Sequence, residues 1–365
     1  MKTLLKITLI LAVGLGANAA LAFHDGGVAE CAGCHTMHNS QDGALVDSAH
    51  PTGNAYLLAS GNASDTCLSC HAGYGQFAGG TGFGPGGDFY WLTKTFTWTA
   101  HGTVTSAGDS HGHNVISPAR GLIQDATLNQ APGGTFLSQY LGCTSCHDPH
   151  GNQNFRILYG TANGPVYNGG RYDFDAEAPL AKGNSRRTIL GGGGNETNSD
   201  HTIYKSGMSE WCANCHTNFH SDNTTNFVHP TGEEMGSTVA AAYNAYISTD
   251  QIVGGDPATS YWGLVPFEDV QVDLDVADPQ NATAGPDGQD QVMCLSCHRA
   301  HASPFQDIAR WDMAQTFIIE SHPQVGDGNA TQADSDNKYY QYTFETNQRS
   351  LCNKCHIKDE GDAPF

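Results

Sequence analysis

The sequence predicts a mostly irregular, loop-rich chain with short helices and very few strands, folded as a single elongated domain around something other than its own apolar side chains. Three observations predict this. Glycine is abundant, at 44 of 365 residues. Only 39% of the residues are hydrophobic, a poor supply for a conventional core of this length. All twelve cysteines fall into C-x-x-C pairs, each followed at once by histidine.

The chain opens MKTLLKITLILAVGLGANAALA. Lys2 and Lys6 make a basic head, an apolar run follows from Leu4 to Leu15, and Ala20-Leu21-Ala22 is a small-residue cleavage site. Residues 1–22 therefore read as a secretory signal peptide, with Phe23 starting the mature chain. The run is shorter than the about 20 apolar residues that a spanning helix needs, and no later stretch supplies them, so no membrane insertion is expected. The formal charge is −21, and losing the two signal lysines takes it to −23. Such a chain repels nucleic acid and anionic membrane surfaces. The acidic surplus keeps an exported protein soluble, or favours cationic partners such as metal ions.

The six pairs are Cys31/Cys34, Cys67/Cys70, Cys143/Cys146, Cys212/Cys215, Cys294/Cys297 and Cys352/Cys355, and the histidines are His35, His71, His147, His216, His298 and His356. C-x-x-C-H is the attachment signature of c-type haem. Two thiols add to the vinyl groups on one porphyrin edge, and the next side chain falls onto the iron as proximal ligand. A disulfide framework or a zinc site does not need histidine at that position. A thioredoxin-like pair would occur once rather than six times. With 18 histidines in 365 residues, six chance matches are negligible. Six covalently bound haem c groups are expected over residues 23–365, and their porphyrin faces supply the missing apolar volume. The fold is then haem-organised, because ligation energy at such sites is folding energy.

Between the motifs, the glycine-rich stretches at 79–87 and 191–194 read as loops. In DFYWLTKTFTWTA, Phe96 and Trp98 alternate with threonines, as in a short strand or hairpin arm, or in an extended segment laid on a porphyrin. The run from Val239 to Ile247 is the best isolated helix candidate, and short helices are expected over 209–215 and 349–355. The acidic segments 273–278 and 327–336 read as exposed loops, with hard-cation binding as the alternative. C-H-x-x-H recurs in CHTMH, CHDPH and CHRAH, with CHTNFH one residue longer, and HPTG occurs at His50 and His229. No fixed period joins these repeats.

Twelve histidines remain after the six proximal ones, so supply exceeds the demand for six distal ligands. A low-spin electron carrier needs a second strong ligand on each iron, whereas a catalytic haem leaves a position open. Three residues reach about 10 Å, too short a path around a porphyrin edge. If His38, His150 or His301 ligates iron, it serves a haem other than that of His35, His147 or His298, and the same nearly holds for His220 after His216. Ligands so close in sequence force neighbouring haems near contact, which favours electron transfer over isolated sites.

With those motifs in view, the chain resembles the hexahaem outer-surface c-type cytochromes of metal-reducing bacteria, the OmcS type, whose subunits polymerise into conductive extracellular filaments. The resemblance runs in order through FHDGGVAECAGCHTMHNS at 23–40, PGGDF at 85–89, KTFTW at 94–98, GHN at 112–114 and APGGTF at 131–136. It continues through CTSCHDPHG at 143–151, ILGG at 189–192, GMSEWCANCHT at 207–217, HPTG at 229, VPFED at 265–269, CLSCHRAHAS at 294–303 and LCNKCHIKD at 351–359. It implies bis-histidine ligation at all six haems and alternating parallel and T-shaped stacking. The distal candidates it carries over are His24, His38, His113, His150, His220, His229 and His301, seven residues for six places. It also implies that His38 ligates the fifth haem, that of His298, in the next subunit. His50, His101, His111, His201 and His322 have no counterpart in the pattern; His50 and His322 precede proline as His229 does, and either is an alternative family ligand.

The expected function is electron transfer along stacked haems, in an extracellular filament made of copies of this chain. Other cytochromes would supply the electrons, and external acceptors such as metal oxides would take them. The alternatives are a monomeric periplasmic shuttle and, more distantly, a multihaem reductase with an open iron position. The chain offers no obvious catalytic constellation, so a carrier rather than an enzyme is expected.

Overall fold

The computed structural model describes residues 31–71, 86–100, 102–161, 164–167, 170–183, 196–220, 228–340 and 342–356. The signal peptide, His24, His101 and most of both glycine-rich stretches lie outside the described residues. Six short helices are present among those described: α1 (Cys31–Cys34), α2 (Ala63–Cys70), α3 (Met208–Ala213), α4 (Gly236–Ala245), α5 (Cys294–Cys297) and α6 (Gln332–Asn337). Among the described residues the strands are two to four residues long and form five two-stranded antiparallel ladders, with single bridges besides. Single 3-10 turns and loops make up the rest.

The expected elements occur with shifted edges. The alternating FTWT segment is a hairpin arm, Phe96–Thr99 paired with Thr103–Ser106. Its aromatic-rich lead-in, Phe89–Thr93, coils instead into a 3-10 turn capped by Asp88, whose side chain accepts from the Tyr90 N–H. The isolated helix runs over Gly236–Ala245, and at 349–355 the helical turn is the 3-10 segment Leu351–Lys354.

Helix α2 shows how a loop-rich chain is tied together. Asn62 caps it by accepting from the Asp65 N–H at 2.8 Å, leaving the Asp65 carboxylate free to bind outward. That buried carboxylate accepts from Ser117 Oγ at 2.6 Å and from the Ala119 N–H at 3.0 Å, which fixes the following loop on the helix.

No single core exists among the described residues. Buried apolar side chains form separate small clusters that abut the cysteine motifs. Phe305, Trp311 and Leu351 pack against Cys297, Cys352 and Cys355, whereas Met208 and Met293 pack against Cys212. The last motif is also anchored by a cation. Lys354 Nζ donates to Tyr246 O at 2.9 Å and lies 4.4 Å from the centre of the Tyr243 ring, both residues belonging to the α4 segment.

Candidate haem centres

We number the C-x-x-C-H motifs one to six in chain order. In every one the histidine N–H donates to the carbonyl of the first cysteine, at 2.8–3.1 Å. Each motif is therefore a single helical turn. Positions i, i+3 and i+4 share one face of such a turn, so both thiols and the imidazole address one group. None of the twelve cysteines forms a disulfide. The thiols are thus available for haem.

Consecutive motifs lie near one another. The Cys67 and Cys143 thiols lie close enough to couple electrostatically, linking motifs two and three, as do Cys212 and Cys294, linking four and five. Cys34 interacts with Cys70, Cys146 with Cys215, and Cys297 with both Cys352 and Cys355. Each motif thus has the next one in chain order as a neighbour.

Four proximal histidines face a second histidine. Ring centres are 6.3 Å apart for His35 and His150, 5.9 Å for His113 and His216, 6.3 Å for His147 and His301, and 6.2 Å for His229 and His356. Two imidazoles bound to one metal through bonds of about 2 Å, with about 1 Å more from each nitrogen to its ring centre, stand roughly 6 Å apart. The four spacings fit an iron between each pair. The candidates His113, His150, His229 and His301 are therefore each brought opposite a proximal histidine. His220 is not; its Nδ1 lies 3.3 Å from Thr231 Oγ1 and its Nε2 lies 3.8 Å from Glu210 Oε1. No histidine ring among the described residues faces His298, and His38 is exposed on its turn.

Second-sphere hydrogen bonds set the tautomers. Nδ1 of His35, His147 and His298 donates to the carbonyls of Tyr56, Arg156 and Asp307 at 3.0, 2.9 and 2.8 Å. His113 and His216 donate likewise to Ala300 O and Pro132 O at 2.7 and 2.8 Å. A ring tied through Nδ1 keeps the Nε2 lone pair for a metal. Burial, with the neighbouring His216 or His147, holds His113 and His301 down to about 4 and about 3, so both stay neutral.

Motifs one, three and five are built alike beyond their sequence. In each, two consecutive non-glycine residues adopt left-handed backbone: Tyr56-Leu57, Arg156-Ile157 and Asp307-Ile308. The first presents its carbonyl to the proximal Nδ1. The second accepts from the N–H that follows the histidine: Thr36 to Leu57 O at 2.7 Å, Asp148 to Ile157 O at 2.8 Å, Arg299 to Ile308 O at 2.8 Å. A return bond then closes the loop onto the second cysteine: Ala59 to Cys34 O, Tyr159 to Cys146 O and Arg310 to Cys297 O. Left-handed backbone costs a non-glycine residue about 1–2 kcal/mol, and glycine or asparagine is its usual sequence signal. Neither occupies these positions, so the clamp has no signature to read.

Among the described residues, the histidines without a counterpart in the family pattern have other occupations. His111 and His201 are buried with both ring nitrogens hydrogen-bonded, to Ser106 Oγ and Trp91 O and to Thr202 O and Ala282 O. His322 stacks on Trp98 at 4.0 Å and pairs with Asp327. His50 pairs with Asp47 at 2.8 Å. One buried cation also suits a haem. The Arg310 side chain is 1% exposed and bonds only carbonyls, those of Leu295, His298 and Gly263. Its Nη2 has no partner, a donor suited to an anionic group.

No protein-family profile matches the chain. It is 37% identical to the C-type cytochrome OmcS of Geobacter sulfurreducens, over 98% of this chain and the whole of that one. Two solved structures, one of the OmcS nanowires and one of the outer membrane cytochrome S filament, both from Geobacter sulfurreducens, superpose with a TM-score of 0.79 at 35% identity. Each superposition covers 92% of this chain and all of the other. With such identity over nearly its whole length, added to six single-turn C-x-x-C-H motifs, each near the next, the chain belongs to the OmcS family of c-type cytochromes, which carry covalently bound haem c.

Proposed function

We propose that this chain carries electrons along six bis-histidine haems as the subunit of an extracellular filament. Bound haem supplies a reversible one-electron couple at each motif; the residues attach, orient and space it. The cysteine pairs hold it, the six proximal histidines take one axial position, and Nδ1 bonds fix their ring tautomers. His150, His301, His113 and His229 take the other position at motifs one, three, four and six. His24, which lies outside the described residues, is the candidate that remains for motif two. The resemblance between this chain and filament-forming relatives over their whole length supports polymerisation, and release to the cell exterior follows from that role.

The observation that carries the reading is a regular step between the C-H-x-x-H modules. His150 of motif three stands opposite His35 of motif one. His301 of motif five stands opposite His147 of motif three. Each module lends its second histidine to the module two motifs earlier. Continuing the step leaves His298 of motif five awaiting a histidine, and leaves His38 of motif one with no earlier module in its own chain. One contact satisfies both: His38 of one subunit binds at motif five of the next. Such a join is heterologous and open, so it builds a filament rather than a ring.

The test is His38→Ala in the exported, haem-loaded protein. Imaging should show filaments lost, with monomers that keep six haems by pyridine haemochrome assay. Normal filaments with motif five still low-spin would end the proposal.

A further inference from the structure

His301 differs from five other histidines of the haem motifs and their partners. Its Nδ1 is buried and makes no well-formed hydrogen bond, only a loose approach to the Gly87 backbone, whereas His35, His113, His147, His216 and His298 are each tied to a carbonyl. Its backbone is fixed, because its N–H donates to Gly86 O at 2.7 Å and its carbonyl accepts from the His113 N–H at 2.9 Å. Those bonds leave the ring free to turn about its own bond to Cβ. What stops it is packing. The Phe89 ring stacks on the imidazole, centres 4.7 Å apart and planes 22° apart. Gly86 closes in as well, since a Cβ there would lie only 2.9 Å from His301 Nδ1. Phe89 is itself 6% exposed and held in a small cluster with Leu68, Val115 and Leu122.

We propose that Phe89 is the positioning residue for His301: its ring, in place of a well-formed hydrogen bond, sets the imidazole plane at 65° to that of His147. This rests on the reading of His147 and His301 as the two axial ligands at motif three. The angle has an electronic meaning. An imidazole donates π density into the iron d orbital perpendicular to its own plane. Parallel rings load one orbital and split it from its partner; crossed rings load one each and leave the two close in energy. The ring pairs here span that range, at 14° for motif one, 46° for motif four, 65° for motif three and 82° for motif six. The largest g value of a ferric low-spin haem rises as the two orbitals approach each other, so each pair should have its own signal.

The experiment is electron paramagnetic resonance of the oxidised, intact protein with Phe89→Leu, Leu122→Ala and His301→Ala. Phe89→Leu should keep every haem attached and low-spin, yet shift and broaden the largest g value of one haem's share of the signal. Leu122→Ala removes more packing from the same cluster without touching the stacked ring, and should leave all positions unchanged. An unshifted Phe89→Leu spectrum, or an equal shift in Leu122→Ala, overturns the proposal. His301→Ala separates the two layers of the argument. One haem turning high-spin upholds the ligand reading whatever Phe89→Leu does, whereas an all-low-spin spectrum overturns that reading and the proposal with it.

Discussion

His113 is held at two points by consecutive carbonyls of motif five: its backbone N–H donates to His301 O at 2.9 Å and its ring Nδ1–H to Ala300 O at 2.7 Å. The imidazole facing His216 and the imidazole facing His147 are thus parts of one rigid unit. The position opposite motif three cannot shift without moving that opposite motif four. Electron tunnelling falls exponentially with distance, so a carrier benefits from neighbouring sites that move together. Covalent attachment alone does not give this, because it leaves the distal side unanchored.

That junction depends on Gly112. Its Cβ would lie 2.4 Å from His301 O and 2.6 Å from the Ala302 side chain. The backbone there is extended, so the constraint is space rather than conformation. Gly112→Ala should push the two segments apart and destabilise the protein by roughly 1–3 kcal/mol, as overpacking does. Thermal melting followed in the Soret band should show a lower midpoint with unchanged haem content. An unaltered midpoint would mean that the segments separate at no cost.

The distal assignments make a three-way comparison possible. His150→Ala and His301→Ala should each leave six haems attached and convert one iron to high spin. His220→Ala should leave the spectrum as it was, because His220 meets Glu210 and Thr231 rather than a proximal histidine. A high-spin signal in His220→Ala, with none in the other two, would reverse the assignment.

Much of this was legible in the sequence, for reasons that can be named. Cys31, Cys34 and His35, like their five counterparts, declare their chemistry because one helical turn places all three. Reach alone showed that His150 and His301 cannot return to their own motifs, but a reach limit does not say where a side chain goes. His220 and His229 were both candidates because the family pattern carries over both, seven residues for six places. The structure sets His229 6.2 Å from His356, a partner 127 positions away that no local pattern encodes. The clamps at Tyr56, Arg156 and Asp307 were invisible for the opposite reason. Their backbone is one that glycine usually signals, and the bonds made at either end, not the residue type, hold them there.

Glu268 predicts a pH dependence. It is fully buried; Oε1 accepts from the Met208 N–H at 2.8 Å, while Oε2 has no partner. Burial, with Glu210 nearby, pushes its pKa from 4.5 up to about 7. The folded state therefore holds a proton that the unfolded state releases between those values. The stability this contributes is complete below about pH 4.5 and is lost as pH rises through about 7, by no more than about 3 kcal/mol. Glu268→Gln removes the titration and leaves other carboxylates in place. The variant's melting midpoint should rise relative to wild type as pH increases across that window. A difference that stays flat would show that Glu268 does not titrate there.

The module repeat also identifies the face that a neighbouring subunit should cover. Equivalent positions differ in exposure along the chain. Leu57 is 51% exposed, while its counterparts Ile157 and Ile308 are half-buried. Met37 is 76% exposed, while Pro149 and Ala300 are half-buried. Motif one thus leaves open an apolar surface of the kind that motifs three and five cover within the chain, and it lies beside His38. Burying a leucine side chain is worth about 1.5–3 kcal/mol, and a buried unpaired carboxylate costs more than that. Leu57→Glu should therefore block assembly while sparing the monomer, since the residue is already in contact with water there. Size-exclusion chromatography and imaging should show monomers with six haems attached, five of them low-spin, the exception being motif five, which lacks its partner's imidazole. Full-length filaments from Leu57→Glu would mean that the join leaves this face in solvent and holds through the His38 bond alone.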